Sequence, residues 1–171
     1  GTDDPYLDLY STSYNFKTSS SISGDSFFYS TFSTYPAFNF YGTDYTGMKF
    51  TADGFALFGT SVGATPGANQ AIPTAADPNA ILPILWRDWV VTYDLATNKG
   101  VSLVGDSSTV AIIEYDDIAL KSDANQTMDM EVGFRLQPDN TAGAYEIIYA
   151  FDNINVDFAA SPVGTPIERP T

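Results

Sequence analysis

Two glycine-bearing turns constrain this chain more than any other feature. In Phe38-Asn39-Phe40-Tyr41-Gly42-Thr43-Asp44-Tyr45 an aromatic-rich run breaks at a Tyr-Gly loop. In Gly47-Met48-Lys49-Phe50-Thr51-Ala52-Asp53-Gly54-Phe55-Ala56-Leu57-Phe58-Gly59 two runs of alternating apolar side chains hinge at Asp53-Gly54. Asp-Gly readily supplies the positive φ angles of a tight hairpin, and side chains that alternate in character belong on half-buried strands. The spacing therefore predicts an antiparallel β module, with Gly54 at positive φ and Phe50 close to Phe55 across the ladder.

The same rhythm runs through the rest of the sequence. Strand signals fall at 26–32, 35–41, 47–52, 55–60, 100–104, 109–115 and 154–158, separated by turn residues at short intervals. In 128–136 every even position is apolar and every odd one is polar or glycine. This predicts Met130, Val132 and Phe134 inside, with Asp129, Glu131 and Arg135 in water, and 145–151 is the expected hairpin partner. Many short strands without alternating helices give an all-β, antiparallel two-sheet sandwich, jelly-roll-like, with little helix. Residues 59–79, rich in Gly, Ala, Pro and Thr, read as a long surface loop. The apolar run 81–91 contains Pro83 and is read as a strand in preference to a buried helix. Residues 1–158 form one domain on this reading, and 159–171, with three prolines, a linker. Gly1 reads as the remnant of a removed tag on a piece of a longer protein.

Composition narrows the function. A chain of 171 residues with 44% hydrophobic side chains can bury a core without staples, and no apolar run reaches the ~20 residues of a membrane span. Its net charge of −14, with seven scattered cations, disfavours nucleic acid and anionic membrane as partners. There is no histidine and no cysteine, so Ser-His-Asp and Cys-His triads, histidine zinc sites and redox thiols are excluded together.

Only carboxylate chemistry survives. Glu114 and Asp116 alternate on one strand face, as the acids of a jelly-roll glycoside hydrolase do, but Ile118 follows where a third acid is expected, and no catalytic residue is assigned. No cofactor is called for. Oxygen ligands for a fold-supporting calcium exist at Asp3-Asp4, Asp116-Asp117, Asp123 and Asp152, Asn153, Asn155 and Asp157, though none has EF-hand spacing. Of the abundant aromatics, Phe38, Phe40, Phe50, Phe55, Phe134 and Phe151 are assigned to the core. Trp86 and Trp89, three apart, point to opposite faces of a strand, so one is expected inside, Trp86, and the other at a surface.

Four blocks in order add a resemblance. They are the F-x-F-Y-G and D-G-F hairpins, Ile72-Pro73 with Asp77-Pro78-Asn79-Ala80-Ile81, Leu85-Trp86-Arg87-Asp88-Trp89, and Ala111-Ile112-Ile113-Glu114-Tyr115. Over residues 35–155 the chain resembles the nidogen-like β-domain family, most closely the bacterial subgroup attached to secreted subtilisin-like peptidases. It departs from the animal members in lacking cysteines, and from the family's usual pattern in having Tyr115 where a tryptophan follows the glutamate. The resemblance implies a secreted or cell-surface accessory module without catalytic residues, serving adhesion, substrate docking or spacing. Its partners would be neighbouring domains of the same polypeptide or an extracellular protein or polysaccharide. It carries over Trp86 and Asp88 as a structural pair two apart on a strand. Trp86, Asp88 and Trp89 are the binding candidates, and a carbohydrate-binding module or an acidic glycoside hydrolase are the alternatives.

Overall fold

The computed structural model describes residues 15–16, 21–23, 27–31, 37–59, 80–97, 99–105, 110–136 and 145–157. The first strands are β1 (Asn15–Phe16), β2 (Ile22–Ser23), β3 (Phe27–Thr31), β4 (Phe38–Phe40), β5 (Thr43–Tyr45), β6 (Gly47–Thr51) and β7 (Phe55–Phe58). They are followed by β8 (Ile81–Pro83), β9 (Trp89–Val91), β10 (Gly100–Gly105), β11 (Val110–Leu120), β12 (Asp123–Leu136) and β13 (Tyr145–Asn155). No helix occurs among the described residues. Of the loop expected at 59–79 only Gly59 is described, and the linker expected at 159–171 lies outside the described residues.

Every strand pair is antiparallel. The large sheet has the order β1-β10-β11-β12-β13, with β9 also pairing β11 and β2 pairing β9; the small sheet runs β3-β6-β7-β8. Met48, Phe50, Ala56 and Phe58 of the small sheet meet Val101, Ile113, Tyr115, Met130, Val132 and Phe134 of the large one in a single buried cluster. The two sheets thus form a β-sandwich, each large side chain contributing about 1.5–3 kcal/mol through removal from water. The β4-β5 ribbon closes one end. From it Phe38 stacks on Phe58 at 4.8 Å and on Tyr145 at 5.1 Å, and meets Phe134 edge-on at 5.8 Å.

The two turns exchange the roles expected of them. Tyr41 and Gly42 both have positive φ between directly paired Phe40 and Thr43, the two-residue turn whose twist suits a hairpin. Asp53-Gly54 instead belongs to a three-residue loop, in which only Gly54 is left-handed, at φ 73°. Its amide donates to Thr51 O at 3.3 Å, and Thr51 Oγ1 donates to Phe55 O at 2.9 Å. The extra loop residue shifts the register, so Phe50 faces Ala56 and not Phe55. Phe55 consequently points to the opposite side of β7, where it packs with Leu57 and Trp86 in a second cluster.

The run 81–91 is strand at both ends, but the strands lie in different sheets. Pro83 sits on β8, the outermost strand of the small sheet among the described residues, the kind of position that tolerates a missing amide. Residues 84–88 carry the chain across to β9. Along β12 the inner positions are buried as the alternation requires, and Arg135 is exposed. Asp129 and Glu131, expected in water, are buried as well. Two β11 residues, Asp116 and Asp117, oppose the single Asp129 in a bulge that folds the Asp117 amide onto the Asp129 carboxylate, while Glu131 is flanked by strands on both sides. Phe151, assigned to the core, is 39% exposed, and β13 is the outermost strand of its sheet among the described residues.

Candidate functional site

Segment 84–89 wraps the tip of the β6-β7 hairpin. Gly54 O accepts the amides of Ile84 (3.1 Å) and Leu85 (2.9 Å), and Asp53 O accepts that of Arg87 (2.9 Å). The Trp89 indole Nε1–H closes the clasp on Leu85 O at 2.9 Å. Both tryptophans are therefore inside, and Trp89, the one expected outside, is the more completely buried. Trp86 packs on Phe55 at 4.7 Å. Asp88 is not paired with Trp86 along a strand, since both lie in the crossing segment; its carboxylate meets Lys121 Nζ at 3.0 Å on the surface. Arg87 lies 6.0 Å over the Trp89 ring, and burial lowers its pKa against the opposing pull of Asp157. From the facing sheet, the Tyr115 hydroxyl donates to Thr51 O at 3.1 Å. Burial, with the nearby Asp53 charge, pushes that phenol's pKa up.

Acids gather on the outer face of the large sheet. Ser102, Glu114, Glu131 and Ala150 stand opposite one another in one row across β10, β11, β12 and β13, and all four are buried. The acid nearest Glu114 by register is thus Glu131 across the ladder, at the ~5 Å Cβ spacing of directly opposed residues, and not Asp116 along the strand. Beyond this row, carboxylate oxygens of Asp116, Asp117 and Asp129 lie within 4.8 Å of one another. Asp129 is held by the Asp117 amide at 2.7 Å and by Asn153 Nδ2; Lys99 Nζ contacts Asp117 Oδ2 at 2.6 Å. Burial raises the Asp129 pKa, and the Asp117 and Asp152 charges add to the effect. The hydrogen bond to Asp117 raises that of Lys99. Of the other oxygen ligands considered for calcium, Asp123 is occupied by Asn125 and Gln126, Asn155 bonds Asn125 O, and Asp3-Asp4 lies outside the described residues.

A family model described as NIDO related matches residues 5–164. The chain belongs to the nidogen-related family. Domains of this family are generally non-catalytic and typically extracellular. No curated protein and no solved structure matches the chain.

In this nidogen-related domain the described surface has two features the sequence did not disclose. Along β13, Ile148, Tyr149, Phe151 and Ile154 are exposed, with Tyr149 and Phe151 two apart on one face. Beside it, a hollow of about 230 Å³ opens around Gly133, with Glu131 in its wall and Glu114 absent from it. Alternation marked Tyr149 and Phe151 as a strand face but not as belonging to an edge. Glu131 looked like any solvent-facing acid, and its opposition to Glu114 follows from a cross-strand register that no local pattern encodes.

Proposed function

We propose that this nidogen-related domain is a non-catalytic extracellular module of a larger secreted or cell-surface bacterial protein, serving adhesion or substrate docking through the outer edge of β13. The observation that carries the reading is the edge itself. Natural sheets blunt a long outermost strand with proline, lysine or a covering element. The run from Tyr145 to Phe151 has neither proline nor lysine, and Ile148, Tyr149 and Phe151 remain exposed on it. Such an edge accepts an extended segment of a partner, whose backbone continues the ladder while alternate side chains meet Tyr149 and Phe151 on one face and Ile148 on the other. The net charge of −14 favours a neutral or basic segment over a second copy.

The purified domain is expected to turn over neither peptides nor polysaccharides, and to bind at least one member of a panel of immobilised extracellular proteins and neighbouring-domain fragments. Binding that is lost in Tyr149→Lys while the melting temperature is kept supports the edge. Hydrolysis abolished by Glu114→Gln or Glu131→Gln overturns the reading in favour of a glycoside hydrolase.

A carbohydrate-binding role is the second reading, favoured by the exposed Tyr149 and Phe151 rings, which present flat apolar faces of the kind that pack on pyranose rings. Retention on a polysaccharide column, lost in Tyr149→Ala, distinguishes it from protein docking.

A further inference from the structure

We propose that Tyr41, at the tip of the β4-β5 ribbon, is a stacking contact for a neutral polysaccharide, its ring packing on the apolar face of a pyranose. The inference stands apart from both roles of β13, since it concerns a different element and is compatible with a protein or a glycan at the strand edge.

Backbone strain singles the residue out. Tyr41 is the first turn residue between directly paired Phe40 and Thr43, and its φ is 48°. That position suits asparagine, aspartate or glycine, and a bulky ring is disfavoured there. Burial does not offset the strain. The side chain is 94% exposed, more than any other large hydrophobic residue described. Asparagine would close this turn with less strain, so the ring answers to something outside the fold.

The ribbon presents that ring in a fixed pose. Phe40 meets Tyr41 edge-on, with centroids 4.7 Å apart and ring planes at 80°, and Phe40 itself packs on Phe58 at 4.3 Å. Asn39 locks the turn: its Oδ1 accepts the Gly42 amide at 3.2 Å, and its Nδ2 donates to Asp44 Oδ1 at 2.7 Å. A ring ordered before contact loses little freedom on binding.

The surroundings of the ring select the ligand. Asn39, Gly42, Thr43 and Asp44 are all exposed, and Phe40 is half-buried. A protein anchor sits among neighbours that exclude water around it, whereas Tyr41 stands among polar groups on a projecting turn. A pyranose is amphipathic in the matching way, with C–H bonds on its face and hydroxyls at its rim. The face takes the tyrosine ring, and the Thr43 hydroxyl and the second Asp44 oxygen offer acceptors to the rim. The net charge of −14 disfavours acidic glycans, so the polysaccharide is neutral.

The test is native electrophoresis of the full chain through gels containing hydroxyethylcellulose, arabinoxylan, galactomannan, laminarin or starch. Retardation is expected in at least one of them, with binding about tenfold or more weaker for Tyr41→Ala and kept by Tyr41→Phe and Tyr41→Trp. Tyr149→Ala should leave it in place. Tyr41→Asn should bind as poorly as Tyr41→Ala while its melting temperature rises, because the turn accepts asparagine. Absence of retardation in every gel overturns the proposal, as does retardation lost in Tyr41→Phe. Retardation that depends on Tyr149 and not on Tyr41 also overturns it, while leaving a carbohydrate role for β13 intact. A lower melting temperature for Tyr41→Asn would mean that the ring serves the fold, and a protein that needs Tyr41 when no gel retards the domain would assign the tip to a protein partner; either result overturns the glycan contact.

Discussion

Gly54 lies so close to the carbonyl oxygen of Leu85 that no Cβ fits between them, and Trp89 Nε1 stands 3.1 Å from the same point. The left-handed φ of Gly54 adds a second, independent bar to any other residue. Gly54→Ala should therefore destabilise by about 2 kcal/mol or more, a fall of ~4–8 °C in melting temperature for a domain of this size. Gly42, equally left-handed but with open space around it, provides the comparison: Gly42→Asn should cost much less, because asparagine tolerates that conformation. Equal losses at the two positions would show that the clasp over Gly54 adds nothing.

Trp89 should prove more sensitive than Trp86. Replacing Trp89 by phenylalanine removes the donor to Leu85 O and leaves a gap in a fully buried site, at a cost of about 2–4 kcal/mol. Trp86→Phe keeps a ring against Phe55 at the margin of the second cluster and should cost about half as much. Urea unfolding of both variants measures the difference.

The inner face of β12 and the exposed edge of β13 should separate cleanly. Phe134→Ala is expected to cost ~3–5 kcal/mol, since its ring is buried against Phe38. Tyr149→Ser should change stability by no more than about 1 kcal/mol, because the ring is 38% exposed. A large loss at Tyr149 would mean that its ring supports the sandwich and is not available to a partner.

Acid stability should carry an opposite signature from one buried carboxyl. Burial favours the neutral form of Asp129 in the folded state, so its contribution improves as pH falls through its raised pKa and is lost as pH rises through it. Asp94 and Asp123 behave inversely. Hydrogen bonds, from Thr97 and Ala96 to Asp94 and from Asn125 and Gln126 to Asp123, hold both below the usual carboxylate range. The stability those bonds lend is lost as pH falls below that range. The melting temperature of the parent should therefore rise relative to Asp129→Asn between pH ~7 and ~4.5, before both decline at lower pH. Parallel curves would place Asp129 in a solvated setting.

How much could be read from the residues depended on how local the determining interaction is. Alternation along β6, β7 and β12 reports which side chains share a face, and that gave the all-β class and the inner half of β12. The hairpin at Asp53-Gly54 was legible as a turn, but its extra residue was not, because that depends on Thr51 closing a three-residue loop. The fate of Trp86 and Trp89 was hidden for a related reason: their segment crosses between sheets, so strand parity does not apply. Glu131 is the clearest case. Its own strand marks it as outward, and only pairing with Glu114 and the glycine two residues on place it in the wall of a hollow.

The hydroxyl that Tyr115 extends to Thr51 O has a consequence at the alkaline end. With neither histidine nor cysteine, no side chain titrates between the carboxylates, the raised Asp129 included, and the tyrosine range, so stability should run flat from pH ~7 to ~9. Above that plateau the unfolded chain ionises its phenols freely, whereas the folded chain resists at position 115, and each further rise in pH drains stability through that difference. The cross-brace between the two sheets thus doubles as the domain's alkaline fuse, and Tyr115→Phe, though weaker at neutral pH, should blow later.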